Sequence, residues 1–185
     1  MLRVGVYGGG FNPPHVGHAM VAAWLRWTDQ VDAVWLLPAW RHAFGKDLAP
    51  WEARFAMCEA LAGMLGPWAR VEPIERERDT TSYTVDTLRE LSARHPDHAF
   101  RLVVGADNLE AAPKWRAWDE IAQRWPPIVV GRAGFAPVPG APEFPAVSST
   151  HVRDAMAREE DVRGLVPACV LAVAHAHGLY VRAGQ

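Results

Sequence analysis

Between residues 8 and 18 the chain reads Gly8-Gly9-Gly10-Phe11-Asn12-Pro13-Pro14-His15-Val16-Gly17-His18. Three successive glycines let a backbone approach a ligand closely and point its amides at an anion. A helix opening just beyond them would present its free N–H groups to the same anion. His15 and His18 stand three apart, so on the first turn of such a helix both imidazoles leave one face as hydrogen-bond donors for phosphate oxygens. Two histidines can also begin a zinc site, but no acidic or cysteine ligand stands near them in sequence. No Gly-Lys-Ser/Thr follows the glycines, which excludes a Walker loop. Taken singly, each part has a plainer reading: the glycines turn the chain, and one histidine caps or packs. The combination is far more specific than its parts.

A second constellation lies near the end of the chain, Ser148-Ser149-Thr150-His151-Val152-Arg153. Ser and Thr cap helices and leave N–H groups and hydroxyls aimed at an anion. Arg153 falls in the first turn of that helix, where the dipole disfavours a cation. A bound phosphate would offset the misfit and accept a forked guanidinium contact. The alternative is a simple serine cap with Arg153 paired to Glu159 or Glu160.

Strands and helices must place these groups, and they alternate along the whole chain. Leu2 to Tyr7 reads as a buried strand. Val16 to Trp27 reads as a helix with a core-facing stripe of Val16, Ala19, Met20, Ala23, Trp24 and Trp27. Further strands are expected at Ala33 to Leu37, Ala69 to Ile74, Phe100 to Val104 and Ile128 to Val130. Helices are expected from Pro50 to Leu65, Ser82 to Arg94, near Trp115 to Ile121, Ser149 to Ala157 and Pro167 to His177. Gly131 to Val147 carries four prolines, so it reads as a loop with at most a short edge strand at its end. Such alternation predicts an α/β fold, a doubly wound parallel sheet with helices on both faces. Ligands in these folds sit beyond the carboxyl ends of the strands, where both constellations fall.

Composition agrees and narrows the class. The chain has 185 residues, half of them hydrophobic (50%) and 22% charged, which excludes a disordered protein and suits one domain. No apolar run is long enough to span a membrane. The opening residues turn glycine-rich too early for a secretory signal, so a cytoplasmic location is expected. A formal net charge of −2 argues against a nucleic-acid-coating role but leaves room for one small anion in a local pocket. Cys58 and Cys169 make neither a disulfide framework nor a zinc spacing and are expected to be buried thiols. Nine tryptophans are many for this length, so some are available for ring stacking.

The segment Gly8 to His18 resembles the ATP-binding loop of the nucleotidyltransferase superfamily, whose hallmark is His-x-Gly-His. Ser148 to Arg153 resembles that family's second anchor, Ser-Ser-Thr-x-x-Arg. Ser82-Tyr83-Thr84-Val85-Asp86-Thr87-Leu88, Gly105-Ala106-Asp107 and Lys114-Trp115 resemble segments of the nicotinate-nucleotide adenylyltransferases in particular. The resemblance reaches from the first strand to Gly178-Leu179-Tyr180, so residues 1–185 are expected to form one domain with a Rossmann-like nucleotidyltransferase fold.

The resemblance implies site residues. ATP would lie on Gly8, Gly9, Gly10, Phe11, His15, His18, Ser148, Ser149, Thr150 and Arg153. The acceptor would meet Thr84, with Asp107 on a ribose hydroxyl and Trp115 on the pyridine ring. Both latter roles make chemical sense, since a carboxylate accepts from a diol and an indole suits a flat cation. A helix cap at Asp107 and core packing at Trp115 are the alternatives. One segment departs from the pattern. The family carries Pro-Pro-His-Lys after its second strand, whereas this chain reads Pro38-Ala39-Trp40-Arg41-His42-Ala43-Phe44-Gly45-Lys46. His42 and Lys46 either serve the same basic role at a stretched spacing or form a solvated loop.

The implied reaction is attack of a mononucleotide phosphate on the α-phosphorus of ATP, with pyrophosphate leaving. An ionised phosphate needs no general base, so alignment and charge neutralisation would suffice. His15, His18, Arg153 and Lys46 would supply the donors, and Mg2+ would arrive with ATP, held by substrate and water. Alternatives are an acceptor such as nicotinamide mononucleotide or phosphopantetheine, a cytidylyl transferase, a class I aminoacyl-tRNA synthetase fragment, or a nucleotide-binding protein without turnover. The synthetase reading lacks its lysine-rich signature and a tRNA-compatible charge.

Overall fold

The computed structural model describes residues 1–41, 47–79, 81 and 83–181. In chain order the elements are β1 (Leu2–Gly9), α1 (Val16–Trp27), β2 (Ala33–Pro38), α2 (Trp51–Leu65), β3 (Ala69–Val71), α3 (Ile74–Arg78), α4 (Thr84–Arg94) and β4 (His98–Gly105). They continue with α5 (Ala106–Leu109), a 3₁₀ turn at Ala112–Lys114, α6 (Trp118–Arg124), β5 (Ile128–Arg132), β6 (Glu143–Phe144), α7 (Ser149–Ala157) and α8 (Ala168–Ala176).

The six strands form one sheet in the order β3-β2-β1-β4-β5-β6, every neighbouring pair parallel. The order reverses between β1 and β4. One branch runs outward through β2 and β3, the other through β5 and β6. A crevice opens at such a switch point beyond the strand ends. β1 ends there at Gly9 and β4 at Gly105.

Both sheet faces are covered, as strands without a polar side require. Val34, Leu36, Val103, Ile128 and Val130 pack against Val21, Ala22, Leu25, Met57, Leu61, Val152, Val170 and Ala174 of α1, α2, α7 and α8. Trp35, Leu37, Leu102 and Val104 alternate onto the other face, against Ile74, Val85, Leu88, Leu91 and Ile121 of α3, α4 and α6. Each such aliphatic side chain contributes about 1.5–3 kcal/mol on full burial. Among the described residues, no helix is long and apolar enough to cross a membrane.

Four sequence expectations are corrected by the fold. The buried residues of α1 are Gly17, Val21, Ala22 and Leu25, while Met20 and Trp27 of the expected stripe are exposed. The helix is apolar nearly all round, so periodicity selects no unique face. The third strand stops at Val71, because Pro73 has no N–H for a ladder and Ile74 instead opens α3. The helix expected near Trp115 begins at Trp118. Of the thiols, Cys58 is fully buried and its pKa pushed up by that burial, whereas Cys169 is half-buried with its sulfur 3.5 Å from the Ala60 carbonyl.

Candidate active site

α1 begins at the switch point because His15 takes an extended conformation just ahead of it. The His15 backbone N–H donates to Nδ1 of His18 at 3.1 Å, closing the first turn on itself. With Nδ1 accepting, neutral His18 carries its proton on Nε2. The two imidazoles lie 3.8 Å apart, centroid to centroid, and Phe11 packs on His18 at 4.8 Å. Gly17 leaves room for this stack. A Cβ there would stand 3.1 Å from Cε1 and Nδ1 of His15.

Burial governs the charge state of both rings. It lowers the His15 pKa from 6.5 to about 4, with the Arg132 cation adding to the effect. His18 falls well below its usual value for the same reason, with His15 and Arg132 contributing. Both are neutral N–H donors near pH 7. His15 Nδ1 is buried with no hydrogen-bond partner among the described residues.

The loop between β1 and α1 is held through its carbonyl oxygens. Gly9 O accepts the Ala39 N–H (2.9 Å), Gly10 O accepts Arg54 (3.0 Å), Asn12 O accepts Arg153 (2.8 Å) and Pro13 O accepts the Ser149 hydroxyl (2.9 Å). Carbonyls turned into the protein by donors cannot oppose an anion in front of the loop. The Asn12 side chain accepts the Ala49 N–H at 3.3 Å and the Tyr180 hydroxyl at 2.7 Å. The tail after α8 therefore braces the loop from the far end of the chain. Phe11 itself sits at φ +46, a left-handed conformation retained by its buried ring.

At α7, Ser148 is the N-cap, its hydroxyl accepting the His151 N–H at 3.1 Å. Arg153 turns to Asn12 O and Thr150 Oγ1, while Glu160 pairs with Arg158, so the expected alternative partner at Glu160 is taken elsewhere. From the other branch of the sheet, Asp107 projects in the first turn of α5 and pairs with Arg132 at the end of β5. Gly105 is the N-cap, which removes the cap role considered for Asp107, and a Cβ on Gly105 would collide with the Asp107 carboxylate.

Trp115 follows the 3₁₀ turn in an extended conformation. It packs edge-on against Trp118 at 5.8 Å, one edge in the core and the other on the cavity. Lys114 and Arg116 flank it on the same cavity. The Arg116 guanidinium lies 5.1 Å over the Tyr83 ring and 3.0 Å from Asp86.

These groups converge on one cavity of about 1040 Å³. Gly8, Gly9, Gly10, Phe11, His15, His18, Ser148, Ser149, Thr150 and Arg153 line one part of it, and Thr84, Asp107 and Trp115 line another. Lys46, His42 and Ser82 lie outside the described residues. Sequence reasoning missed two arginines. Arg132 ends a strand on the switch-point side, and its place at a strand's carboxyl end was the available signal. Arg54 stands in α2 among Ala53, Met57, Cys58 and Leu61, a charge on an apolar stripe.

A family model described as cytidylyltransferase-like matches residues 6–155. A protein of Anaeromyxobacter sp. (strain K) named "Probable nicotinate-nucleotide adenylyltransferase" is 50% identical over 180 residues, covering 96% of either chain. One of the same name from Myxococcus xanthus (strain DK1622) is 44% identical over 180 residues, covering 97% of this chain and 95% of its own. The solved structure of Plasmodium falciparum nicotinic acid mononucleotide adenylyltransferase complexed with NaAD has a TM-score of 0.82 at 17% identity, over 97% of this chain and 98% of that one. At that identity it speaks for the fold.

Proposed function

The chain belongs to the cytidylyltransferase-like family and, within it, to the nicotinate-nucleotide adenylyltransferases, and from that premise we infer that it transfers the adenylyl group of ATP to nicotinate mononucleotide, releasing pyrophosphate. The observation that carries the chemistry is the convergence of two neutral imidazoles, an anion-ready loop and two arginines on one switch-point cavity.

In this reading the triphosphate lies along Gly8 to Phe11 and the start of α1. The nucleophile is the phosphate oxygen of the acceptor, already ionised, so no side chain must remove a proton. Negative charge grows on the bridging oxygen between the α- and β-phosphorus as its bond to the α-phosphorus breaks. The Nε2–H of His18 and an N–H of His15 donate to it without carrying a charge that would over-bind the ground state. Arg153 meets the departing pyrophosphate from the start of α7, with Lys46 as its proposed helper. Arg132 holds Asp107 ready for a ribose diol.

The acceptor's pyridine ring stacks on Trp115 beside Thr84, and the cations of Lys114 and Arg116 favour a carboxylate there over a carboxamide. Magnesium bound with ATP would supply charge neutralisation at the phosphates. With both substrates small molecules and ATP the donor, the cytoplasm is the proposed site of action.

Pyrophosphate release from Mg-ATP, followed with nicotinate mononucleotide, nicotinamide mononucleotide and phosphopantetheine in parallel and with product masses recorded, tests the assignment. Nicotinate adenine dinucleotide should form fastest. Faster turnover of either other acceptor, or ATP binding without turnover, would contradict it.

A further inference from the structure

Arg54 is 1% exposed, and no carboxylate lies within ion-pair distance of it among the described residues. Its guanidinium is instead divided among three backbone carbonyls: Nε to Ala49 O at 2.8 Å, one terminal nitrogen to Gly10 O at 3.0 Å, and the other to Ala39 O at 2.8 Å. Gly10 belongs to the loop after β1, Ala39 to the loop after β2, and Ala49 to the approach to α2. Burying a cation whose direct partners are all neutral is costly, because carbonyl dipoles replace water only in part and Glu75 and Glu52 act on it only from a distance. A hydrophobic residue would fill the same stripe beside Met57 and Leu61 at no such cost.

We propose that Arg54 is a positioning residue for ATP: without touching substrate, it draws the Gly10 carbonyl back from the cavity and ties the loop after β1 to the loop after β2. The peptide between Gly10 and Phe11 is planar and trans, so its N–H points opposite to that carbonyl. With the carbonyl drawn onto Arg54, the Phe11 N–H faces the cavity that Gly10 and Phe11 line. A relaxed loop would offer oxygen lone pairs to the triphosphate instead. The planar fork is what the task requires, since three acceptors from three segments lie around one guanidinium. A lysine ammonium on its flexible stem cannot span them. The proposal rests on the assignment of this cavity to ATP, and its positive charge behind the loop acts in the same direction.

The test compares wild type with R54K and R54A for fold by circular dichroism and thermal melting, for KM of each substrate, and for ATP affinity by calorimetry. R54K should fold and raise KM for ATP by about tenfold to a hundredfold, the scale of a displaced alignment group. KM for nicotinate mononucleotide should stay within about threefold. Free guanidinium at low concentration should recover ATP affinity in R54A, and methylammonium should not. Unchanged ATP affinity in folded variants, an equal rise of both KM values, or unfolding of both variants would overturn the proposal; unfolding would mean that Arg54 serves the fold as a whole. The calorimetric arm needs no acceptor. A wild type that binds ATP but makes no dinucleotide therefore tells against the assigned reaction and leaves the Arg54 result standing.

Discussion

At His18 one hydrogen bond sets both structure and chemistry, because accepting the His15 N–H on Nδ1 leaves Nε2–H as the only donor the ring can offer. Neutrality follows from burial, and it has a price in acid. Unfolded, His15 and His18 titrate near 6.5; folded, His15 falls to about 4 and His18 well below its usual value. The unfolded chain therefore binds more protons in that window, so stability is complete above about pH 6.5 and declines as pH falls toward 4. Thermal melts at stepped pH should show this decline, and His18→Gln should flatten it while lowering kcat by about 10²-fold or more. A slope unchanged in the variant would remove His18 from the account. The histidine pair and the Ser148–Arg153 segment were legible in the sequence because their chemistry is written as spacing. Arg132 and Arg54 were not, since each takes its partners from segments far away along the chain.

Among the elements, α1 is the one whose start carries both histidines of the proposed site. Its glycine leaves room for the ring stack: Gly17→Ala would press a Cβ to 3.1 Å from the His15 ring and force that ring, stacked on His18, to move. The ring need give only by a few tenths of an ångström, so an otherwise folded G17A protein should lose severalfold in kcat/KM, well short of the roughly 10²-fold expected for a misplacement of about 1 Å. Wild-type kinetics would show that the ring stack is incidental. The short helix α3 was illegible because five residues carry little more than one helical period, too few to show a repeat. Trp115 was legible by type but not by placement. The chain turns through a 3₁₀ segment before it and delays α6 to Trp118, which frees one edge of the indole for the cavity. The tail beyond α8 shows the reverse case. Its Gly178-Leu179-Tyr180 was noticed by resemblance alone, and the structure gives Tyr180 a physical task on Asn12.

For the molecule as a whole, alternating strands and helices made a parallel sheet legible, but not the order β3-β2-β1-β4-β5-β6, which depends on which crossovers reach the far side. That order is what creates the site. The loop after β1 comes from one branch, while Asp107, Arg132 and the start of α7 come from the other, so the site exists only when both branches have joined at β1 and β4. In the proposed reaction the acceptor phosphate attacks the α-phosphorus directly, with His15, His18 and Arg153 of the cavity lining as donors. Such a reaction is a single displacement at the α-phosphorus. The measurement that tests this most directly is the stereochemical course with ATP made chiral at that phosphorus by sulfur substitution, with nicotinate mononucleotide as acceptor. Inversion in the dinucleotide is the predicted result. Retention would require two displacements through an adenylylated enzyme and would contradict the mechanism.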